Sequence, residues 1–504
     1  MSAGSHEDAH VPPRYRAGIV VRGRWIDTDL VEFGGRESGV TFLSADPKRY
    51  VGMLPLGNPR DMADLYELKL DHILNYIDRL GDRLKLDDNP YLQEALEASC
   101  LTSSQTAPLL EASYRSLPNL FDAGFAREMI DGTVGVAFVE GWVARSLLDG
   151  TRLSIRAFGS RAVHIIAGNS PLIAALSILR NALTRGDAII KSPSNDPFTA
   201  LAIARTMIDM DPVHPLTRHL TVAYWKGGDE EIERQLYQPT HIEKIIAWGG
   251  FASVKHVTRY IQPGLELIAL DPKRSVSVIG SEAFATEAIL REVALRLATD
   301  IGALNQEGCV NARVVYVLSG TDQEGLNKLN HLAEMTYLAM VQLPAVVSTP
   351  PKESDPELRA LVNAARLNEE WYRVFGGKSG EGAIVASQTP EPVDFAVHLS
   401  KRVANLVPID DIEAVCKAID AYTQTVGIYP ESLKHALRDR LSLFGAQRFA
   451  SLGYAAHASV AAPQDGIEPV RQMCRWIVCE DCDPKITPPL WLDGELFQLP
   501  KRGA

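Results

Sequence analysis

The chain has 504 residues, of which 46% are hydrophobic and 23% charged, as in a globular protein with two or three domains. Its 63 acidic and 51 basic residues give a formal net charge of −12, and no basic stripe stands out, which argues against nucleic acid as the main partner. Six irregularly spaced cysteines do not form a disulfide framework and indicate a reducing compartment. The N-terminus lacks the apolar core of a signal peptide, and no apolar run approaches the roughly 20 residues that span a bilayer, so we expect a cytoplasmic protein.

The first 150 residues contain no motif that carries chemistry. Residues 1–14 are predicted to be a disordered tail, and short β-rich runs between Gly18 and Phe42 predict a small antiparallel sheet. Apolar residues recur at helical spacing from Asp61 to Leu86, with Asp61 as the N-cap. Thr133 to Glu140 is a candidate strand. Further helices are predicted over Tyr91–Ser99 and Ala107–Leu117.

From about Arg152, short apolar strands alternate with helices. This alternation predicts a parallel, doubly wound sheet whose ligands bind at the carboxyl ends of the strands. The G-x-G-x-x-G fingerprint is absent, so the pattern alone does not establish a dinucleotide site. Strands are predicted at Ala162–Ile166, Ala188–Ile190, Leu220–Trp225, Ile242–Trp248 and Leu265–Leu270, with helices at Leu172–Thr184, Phe198–Met210, Asp229–Tyr237 and Ala252–Ile261.

Beyond this series, a helix is predicted over Ile289–Ile301, a strand over Val314–Leu318 and a helix over Asn327–Gln342. A second α/β region is predicted from about Leu358 to Leu452, with helices over Phe395–Asn405 and Asp411–Tyr422 and a strand over Gln424–Tyr429. The segment from Pro488 to Ala504 is too short and proline-rich to form a core.

The turn NQEGCVNAR, residues 305–313, is the strongest candidate for chemistry. It places Cys309 between a predicted helix and a predicted strand, where its sulfur can face a cleft as a nucleophile. The alternative is a small buried apolar residue. The C-x-x-C of Cys479 and Cys482 has no second pair at metal-ligand spacing, so no metal site is predicted; the pair is either redox-active or incidental, and the spacing favours incidental. Cys474 lies one turn away on the same segment. Cys100 and Cys416 lie in helical patterns and are expected in the core, and the isolated histidines His164, His241 and His398 are expected to be structural.

Four turns upstream of Cys309 resemble, in order and spacing, the signature of the aldehyde dehydrogenase superfamily. They are AGNSPL with Asn169, IIKSPSNDP from Ile189 to Pro197, AWGG from Ala247 to Gly250, and LDPK from Leu270 to Lys273. Within that superfamily, the chain looks most like the long-chain acyl-CoA reductases that supply fatty aldehydes in bacterial bioluminescence. The N-terminal 150 residues and the segment from Pro463 to Ile477 fit that branch.

The resemblance implies an α/β fold of the aldehyde dehydrogenase type. It implies a doubly wound parallel sheet for the cofactor, a second α/β catalytic domain and a small oligomerisation element. The expected divisions are an N-terminal region over 1–150, a dinucleotide-binding domain over 151–275, a catalytic domain with the nucleophile over 276–460, and a segment over 461–504 that returns to the core or an oligomer interface. A homo-oligomer is expected by analogy with the superfamily.

The resemblance also implies residue roles. Cys309 matches the nucleophile, and Asn169 matches the amide that forms the oxyanion hole with the Cys309 backbone N–H. Lys191 matches the residue that reaches the adenosine ribose, and Ser194 stands where the superfamily has a ribose-binding glutamate. Without that carboxylate, Lys191 would pair with a 2′-phosphate, which favours NADPH over NADH.

Gly249 and Gly228 match glycines that let the backbone approach the cofactor; the alternative for each is a plain turn glycine. Likewise, Asn169 alone reads as a turn residue that bonds its own backbone, and Lys191 alone reads as a solvated lysine at a strand end. The matched series of turns favours the functional interpretation of all four.

Two departures from the superfamily pattern bear on the reaction. In the LDPK register, Ala269 occupies the position of the glutamate that activates water, and an acyl-enzyme without that general base resists hydrolysis. If the register slips, Glu266 or Glu307 would supply the base. Arg313 also follows Cys309 by one residue fewer than in much of the superfamily.

The sequence therefore predicts the NADPH-dependent reduction of a long-chain acyl-CoA thioester to the aldehyde through a Cys309 acyl-enzyme, with release of CoA. A partner protein that transfers acyl groups is a further expected partner. Two alternatives stay open: a hydrolytic NAD(P)-dependent aldehyde dehydrogenase, and a non-catalytic scaffold subunit that binds nucleotide.

Overall fold

The computed structural model describes residues 15–34, 40–148, 150–270, 273–353, 355–457, 459 and 461–483. The predicted N-terminal tail, Asp271 and Pro272 of the LDPK turn, and the proline-rich segment from Pro488 lie outside the described residues.

Strands and helices alternate through most of the described chain. The strands are β1 (Arg16–Ala17), β2 (Ile19–Val21), β3 (Arg24–Ile26), β4 (Leu30–Gly34), β5 (Thr41–Ala45), β6 (Val143–Ser146), β7 (Arg152–Gly159), β8 (Arg161–Ile165), β9 (Asp187–Lys191), β10 (Leu220–Ala223), β11 (Lys244–Trp248), β12 (Glu266–Leu270), β13 (Arg274–Ile279), β14 (Ala312–Val317), β15 (Tyr372–Gly376), β16 (Ala383–Ser387), β17 (Val403–Pro408), β18 (Thr423–Tyr429), β19 (Arg448–Ser451) and β20 (Cys474–Asp481).

The α-helices are α1 (Pro47–Tyr50), α2 (Ala63–Glu67), α3 (Leu70–Arg83), α4 (Pro90–Thr102), α5 (Ala107–Leu120), α6 (Ala123–Thr133), α7 (Val136–Glu140), α8 (Leu172–Thr184), α9 (Thr199–Met210), α10 (Pro215–Arg218), α11 (Glu230–Leu236), α12 (Phe251–Val257), α13 (Glu287–Gly302), α14 (Gln323–Val341), α15 (Pro356–Leu367), α16 (Glu413–Ala418), α17 (Glu431–Phe444) and α18 (Pro469–Gln472). Short 3₁₀ turns lie at Val51–Met53, Pro59–Met62, Leu86–Asp88, Thr258–Tyr260, Ser281–Phe284, Ala303–Gln306 and Ala396–His398.

The first large sheet has the order β12-β11-β8-β9-β10-β2-β3. Strands β8 to β12 run parallel, which confirms the predicted doubly wound sheet. Every residue of β8 and β9 is buried, as expected for strands covered by helices on both faces. The chain moves to one side from β8 to β10 and then crosses to β11 on the other side. The carboxyl ends of β8 and β11 therefore border the crevice where such sheets bind ligands.

The second large sheet has the order β15-β16-β17-β14-β13-β18-β19 and is parallel except at β15. Strand β13 of this sheet shifts register against both neighbours next to Ser275. Two small three-stranded sheets complete the described strands, in the orders β1-β5-β4 and β20-β7-β6. No helix in the described part of the chain is both long and apolar enough to cross a membrane.

The prediction of a separate antiparallel sheet over Gly18–Phe42 is wrong in part. Strands β4 and β5 pair antiparallel, but β2 and β3 extend the first large sheet at β10. The reason is burial, because all three residues of β2 are buried and apolar and need cover on both faces.

Three other predicted elements differ from the structure. The helix predicted from Asp61 breaks at Leu68, whose backbone is extended, and Glu140 Oε1 accepts the Leu70 N–H at 2.9 Å. The candidate strand over Thr133–Glu140 is instead the end of α6 followed by α7, because Gly135 with φ of 90° allows a reversal between two helices.

The helix predicted over Phe395–Asn405 is also wrong. A 3₁₀ turn at Ala396–His398 is followed by β17, which lies between β14 and β16. Lys401 and Arg402 adopt left-handed φ values of 54° and 65°, which a right-handed helix does not accommodate. A short apolar run reads equally well as a helix or a strand, and its long-range pairing decides the outcome here.

Candidate active site

The cysteine turn lies between α13 and β14 and is fixed by side-chain hydrogen bonds. Residues 304–306 all have left-handed φ values, between 52° and 64°, which is costly for residues with a Cβ. Asn305 Oδ1 accepts the Thr349 N–H at 2.8 Å, and Gln306 Oε1 accepts the Val403 N–H at 3.0 Å. These bonds hold the backbone that presents Cys309.

The Cys309 sulfur contacts a polar pair that the sequence did not reveal. Gln424 Nε2 donates to Cys309 Sγ at 3.1 Å, and the same nitrogen donates to Asp465 Oδ1. Burial, together with the negative charge of Asp465, raises the pKa of the Cys309 thiol above its usual value. The Gln424 N–H opposes that shift in part.

Asn169 lies against the cysteine turn. Its Nδ2 donates to the carbonyl of Glu307, two residues before Cys309, at 3.1 Å. The backbone carbonyl of Asn169 accepts a hydrogen bond from Gln105 Nε2 at 2.6 Å, and this bond fixes the backbone of the turn after β8. The structure thus brings Asn169 and Cys309 together although they belong to different sheets.

Gly168 is required because two of the signature turns touch each other there. A Cβ at Gly168 would lie 2.0 Å from Asn195 Oδ1 and 2.8 Å from Pro193 Cγ. Asn195 Nδ2 also donates to the Gly168 carbonyl at 3.2 Å. Any side chain at Gly168 would push the AGNSPL and IIKSPSNDP turns apart and displace Asn169.

Lys191 ends β9 in a buried pocket and is only 8% exposed. Its Nζ lies 5.4 Å from the centre of the Trp225 ring, and burial lowers its pKa to about 8 against the attraction of Glu233. Ser194, three residues further on, is half-buried. Lys191 and Ser194 thus flank the carboxyl end of β9, where the sheet predicts a ligand.

Glu233 of α11 is a buried acid near Lys191 that the sequence reasoning missed. Its carboxylate accepts the Gly228 N–H at 3.1 Å and the Tyr260 hydroxyl at 3.1 Å, and His256 Nε2 lies at 2.6 Å. Gly228 has a φ of 86°, which a residue with a side chain rarely adopts. Glu233 therefore links Gly228 to the same pocket as Lys191.

Gly249 and Gly250 follow β11 at the other border of the crevice, and Gly250 is the N-cap of α12. A cavity of about 640 Å³ opens beyond this helix start, between Phe251 of the first sheet region and the amino ends of β13, β14 and β18. Arg274, Ser275 and Arg313 are among its lining residues. Because Ser275 Oγ donates to the Cys309 carbonyl at 2.7 Å, this cavity adjoins the cysteine turn.

The two candidate bases lie in different places. Glu266 is the first residue of β12, whose five residues span about 13 Å. It therefore lies at the amino ends of the parallel strands, whereas the Asn169 turn lies at their carboxyl ends. Glu307 is within the cysteine turn, but Lys401 Nζ pairs with its carboxylate at 2.8 Å. Ala269 is paired with Ala247 inside the sheet and carries no group that activates water.

The fold matches solved aldehyde dehydrogenases. An NADP-dependent glyceraldehyde-3-phosphate dehydrogenase from Bacillus halodurans superposes with a TM-score of 0.71 at 12% identity, over 93% of this chain and 99% of that one. A lactaldehyde dehydrogenase from Escherichia coli superposes with a TM-score of 0.70 at 14% identity, over 93% and 99% of the two chains. The predicted aldehyde dehydrogenase-like fold is confirmed.

Sequence comparison identifies the branch within this fold. The family model described as acyl-CoA reductase (LuxC) matches residues 65–476, and the chain belongs to that family. A long-chain acyl-protein thioester reductase of Photorhabdus laumondii is 27% identical over 447 residues, which cover 86% of this chain and 87% of the relative. The enzyme of the same description from Vibrio harveyi is 27% identical over 423 residues, 82% and 83% of the two chains. The predicted family is confirmed.

Proposed function

We propose that this protein reduces a long-chain acyl thioester to the aldehyde with NADPH, through an acyl-enzyme on Cys309. The observation that carries the proposal is the 3.1 Å hydrogen bond from Asn169 Nδ2 to the cysteine turn, because it brings an amide donor beside the nucleophile. The names of the relatives support an acyl thioester as the substrate class. Their names specify a protein-bound thioester, whereas the motif resemblance favours acyl-CoA, and the same cysteine chemistry serves both.

The proposed reaction has two stages. In the first, the Cys309 thiolate forms a bond to the thioester carbonyl carbon, the original carbon–sulfur bond breaks, and the departing thiol takes the proton that Cys309 lost. In the second, the acyl-enzyme carbonyl accepts a hydride and becomes the oxyanion of a thiohemiacetal, which collapses to the aldehyde and returns the thiolate. Asn169 and the Cys309 N–H stabilise the oxyanion in both stages.

A reduced nicotinamide supplies the hydride when it is bound. We assign residues 151–275 to the dinucleotide-binding domain and 276–460 to the catalytic domain, between the N-terminal region 1–150 and the C-terminal segment 461–504. Lys191 fits the adenosine end, because a buried cation at the carboxyl end of β9 suits a 2′-phosphate and Ser194 adds no competing charge. Gly228 and Gly249 border the same crevice. The basic cavity beside Cys309 has room for the nicotinamide end.

The proposed product is an aldehyde because none of the three candidate positions for a water-activating base can serve the acyl-enzyme. Ala269 has no proton-accepting group, and Glu266 lies at the amino ends of the strands, away from the Asn169 turn. The Glu307 carboxylate is paired with Lys401. The acyl group therefore remains on the sulfur until hydride arrives.

Two assays run side by side test this function. We expect NADPH oxidation with a long-chain acyl-CoA or a protein-bound acyl thioester, and little NAD(P)⁺ reduction when aldehyde is supplied without a thiol acceptor. Acid formation from the aldehyde, without acyl thioester reduction, would instead support a hydrolytic aldehyde dehydrogenase. Inactivity in both directions across acyl chain lengths would support a scaffold subunit.

The depressed pKa of Lys191 predicts a pH dependence of NADPH binding. Lys191 in the free protein loses its charge as pH rises through about 8, while a bound phosphate would hold the proton to higher pH. The dissociation constant of NADPH should therefore increase up to about tenfold per pH unit above 8, and that of NADH should change less. Fluorescence titration between pH 7 and 9.5 measures both constants.

The Lys191→Met variant is the matched test of that pH dependence. It should bind NADPH more weakly below pH 8 and lose the slope above it, while Lys255→Met on the exposed side of α12 should keep the slope. An NADPH affinity of the parent protein that stays constant from pH 7 to 9.5 would contradict the assignment of Lys191.

We also propose that the β20-β7-β6 sheet is the oligomerisation element of a homo-oligomer. Among the described strands, neither outer strand of this sheet pairs with a further strand, and such an edge invites pairing with a second chain. Exposed apolar side chains cluster on this sheet and its hairpin, namely Trp142, Leu147, Leu148, Ile477 and Val478.

A further inference from the structure

We propose that Gln424 is a second catalytic residue, which donates a hydrogen bond to the charged Cys309 sulfur, and that Asp465 is its positioning residue. The inference rests on the proposed role of Cys309 as the nucleophile and adds residues that no part of the motif series contains. Gln424 is only 5% exposed, and its Nε2 lies 3.1 Å from the sulfur.

The orientation of the Gln424 amide follows from its second partner. An ionised carboxylate only accepts hydrogen bonds, so the nitrogen end of the amide must face Asp465. That nitrogen carries two hydrogens, and the second one is directed to Cys309 Sγ. The amide oxygen is buried with no hydrogen-bond partner among the described residues. That lack of a partner is unfavourable, so the contact of the nitrogen with Asp465 must outweigh it.

The strand irregularity at Ser275 places Gln424 beside the sulfur. Strand β13 shifts register against β18 between Arg274 and Val276, opposite Gln424. At that point, Ser275 Oγ accepts the Thr425 N–H at 3.2 Å and donates to the Cys309 carbonyl at 2.7 Å. One hydroxyl thus anchors both the residue next to Gln424 and the backbone of the nucleophile.

Asp465 is anchored from the other side of the cleft. It has a left-handed φ of 54° and is followed by Gly466 with a φ of 77°, so the chain turns tightly at this carboxylate. The neighbouring Gln464 accepts a hydrogen bond from Arg180 Nη2 of α8 at 3.1 Å. The first sheet region therefore helps to set the position of Asp465 against Gln424.

The proposed hydrogen bond acts where the sulfur carries charge. Sulfur is anionic before it attacks the thioester and again when the thiohemiacetal carbon–sulfur bond breaks and leaves its electron pair on sulfur. An N–H donor stabilises thiolate more than the neutral thioester sulfur of the acyl-enzyme. Gln424 thus raises the fraction of Cys309 that is present as thiolate before the attack and favours bond cleavage when the thiolate leaves, and it requires no further reactant.

The pH dependence of Cys309 alkylation by iodoacetamide tests both residues, with the site of modification located by peptide mass spectrometry. The charged groups that act on the sulfur are Asp465, Arg313 and Arg448. Gln424→Leu removes the donor and should move the alkylation midpoint up by about one pH unit. Asp465→Asn removes a negative charge but keeps an acceptor, and it should move the midpoint down.

Opposite shifts are expected because the two residues act on the thiolate with opposite signs, whereas general loosening of the site would move both variants in one direction. Gln323→Leu on the exposed start of α14 is the control and should leave the midpoint unchanged. Unchanged midpoints, or shifts of the same sign, would overturn the proposal. If Gln424→Leu fails to fold, Gln424→Met of similar length and Asp465→Asn decide the question.

Alkylation needs no acyl substrate, so this experiment is independent of the reductase assay. Gln424→Leu should also lower acyl thioester reduction by about ten- to a hundredfold. The expected opposite shifts without reductase activity would retain Gln424 as the sulfur's partner and reject the proposed function. Reductase activity without the shifts would reject Gln424 alone.

Discussion

Replacement of Cys309 with alanine is expected to lower acyl thioester reduction by about four orders of magnitude or more, because no other group on the turn forms the covalent acyl bond. The half-buried cysteine, the Asn169 amide and the adjoining cavity meet at this turn. Binding of NADPH should persist, because its proposed contacts lie at β9 and α11. Steady-state NADPH oxidation with a saturating acyl thioester measures the loss.

Cys479→Ala provides the matched control for Cys309→Ala. It removes an exposed thiol from β20 and should leave the rate within twofold of the parent enzyme. If Cys309→Ala kept a substantial part of the reductase activity, the covalent route would be wrong, whatever the activity of the control.

The second large effect is expected at Asn169. Asn169→Ala removes the side-chain donor of the proposed oxyanion hole, and loss of one such donor typically lowers kcat by about 10²–10³. Asn169→Asp should be at least as severe, since a carboxylate beside a developing oxyanion adds repulsion. The measurement is kcat for acyl thioester reduction together with the rate of Cys309 alkylation.

Alkylation separates a lost donor from a disturbed turn. Attack on iodoacetamide forms no oxyanion, so the alkylation rate of Asn169→Ala should stay close to that of the parent enzyme. Asn363→Ala on the exposed side of α15 serves as the control for both rates. A kcat for Asn169→Ala within a few-fold of the parent would remove Asn169 from the oxyanion hole.

The parts of the fold that the sequence predicted best are those with strong local signals. Helix α8 spans Leu172–Thr184 as predicted, and β8 to β12 lie within a few residues of their predicted positions. Here, buried apolar runs end at turn residues, so periodicity and punctuation agree. Over residues 395–405, the short apolar run favoured a helix, but its pairing with β14 and β16 imposed a strand.

The candidate site also contains some residues that sequence comparison finds and others that it misses. Cys309, Asn169 and Lys191 stand in turns that carry recognisable spacing, so a sequence comparison finds them. Gln424 lies in no motif, and Asp465 lies in the Pro463–Ile477 segment, to which the sequence assigned no role. They are 115 and 41 residues from their respective partners Cys309 and Gln424. Only the register shift at Ser275 and the return of the chain before β20 bring these side chains to the sulfur.

Glu233 was missed for a different reason. In the sequence it is one of several acidic residues in α11, and such a run usually forms a solvated helix face. The bonds from Gly228, His256 and Tyr260 distinguish it from its exposed neighbours, and those partners come from two other segments. Charge patterning along one helix does not contain that information.

The central claim is that Cys309 holds an acyl group for hydride rather than for water, and a single-turnover experiment tests it most directly. Enzyme mixed with a long-chain acyl thioester and no cofactor should gain the mass of one acyl group on the peptide that contains Cys309, and the adduct should persist. Addition of NADPH should then discharge it as the aldehyde. An unmodified Cys309, or the same acyl-enzyme released as fatty acid without NADPH, would contradict the account.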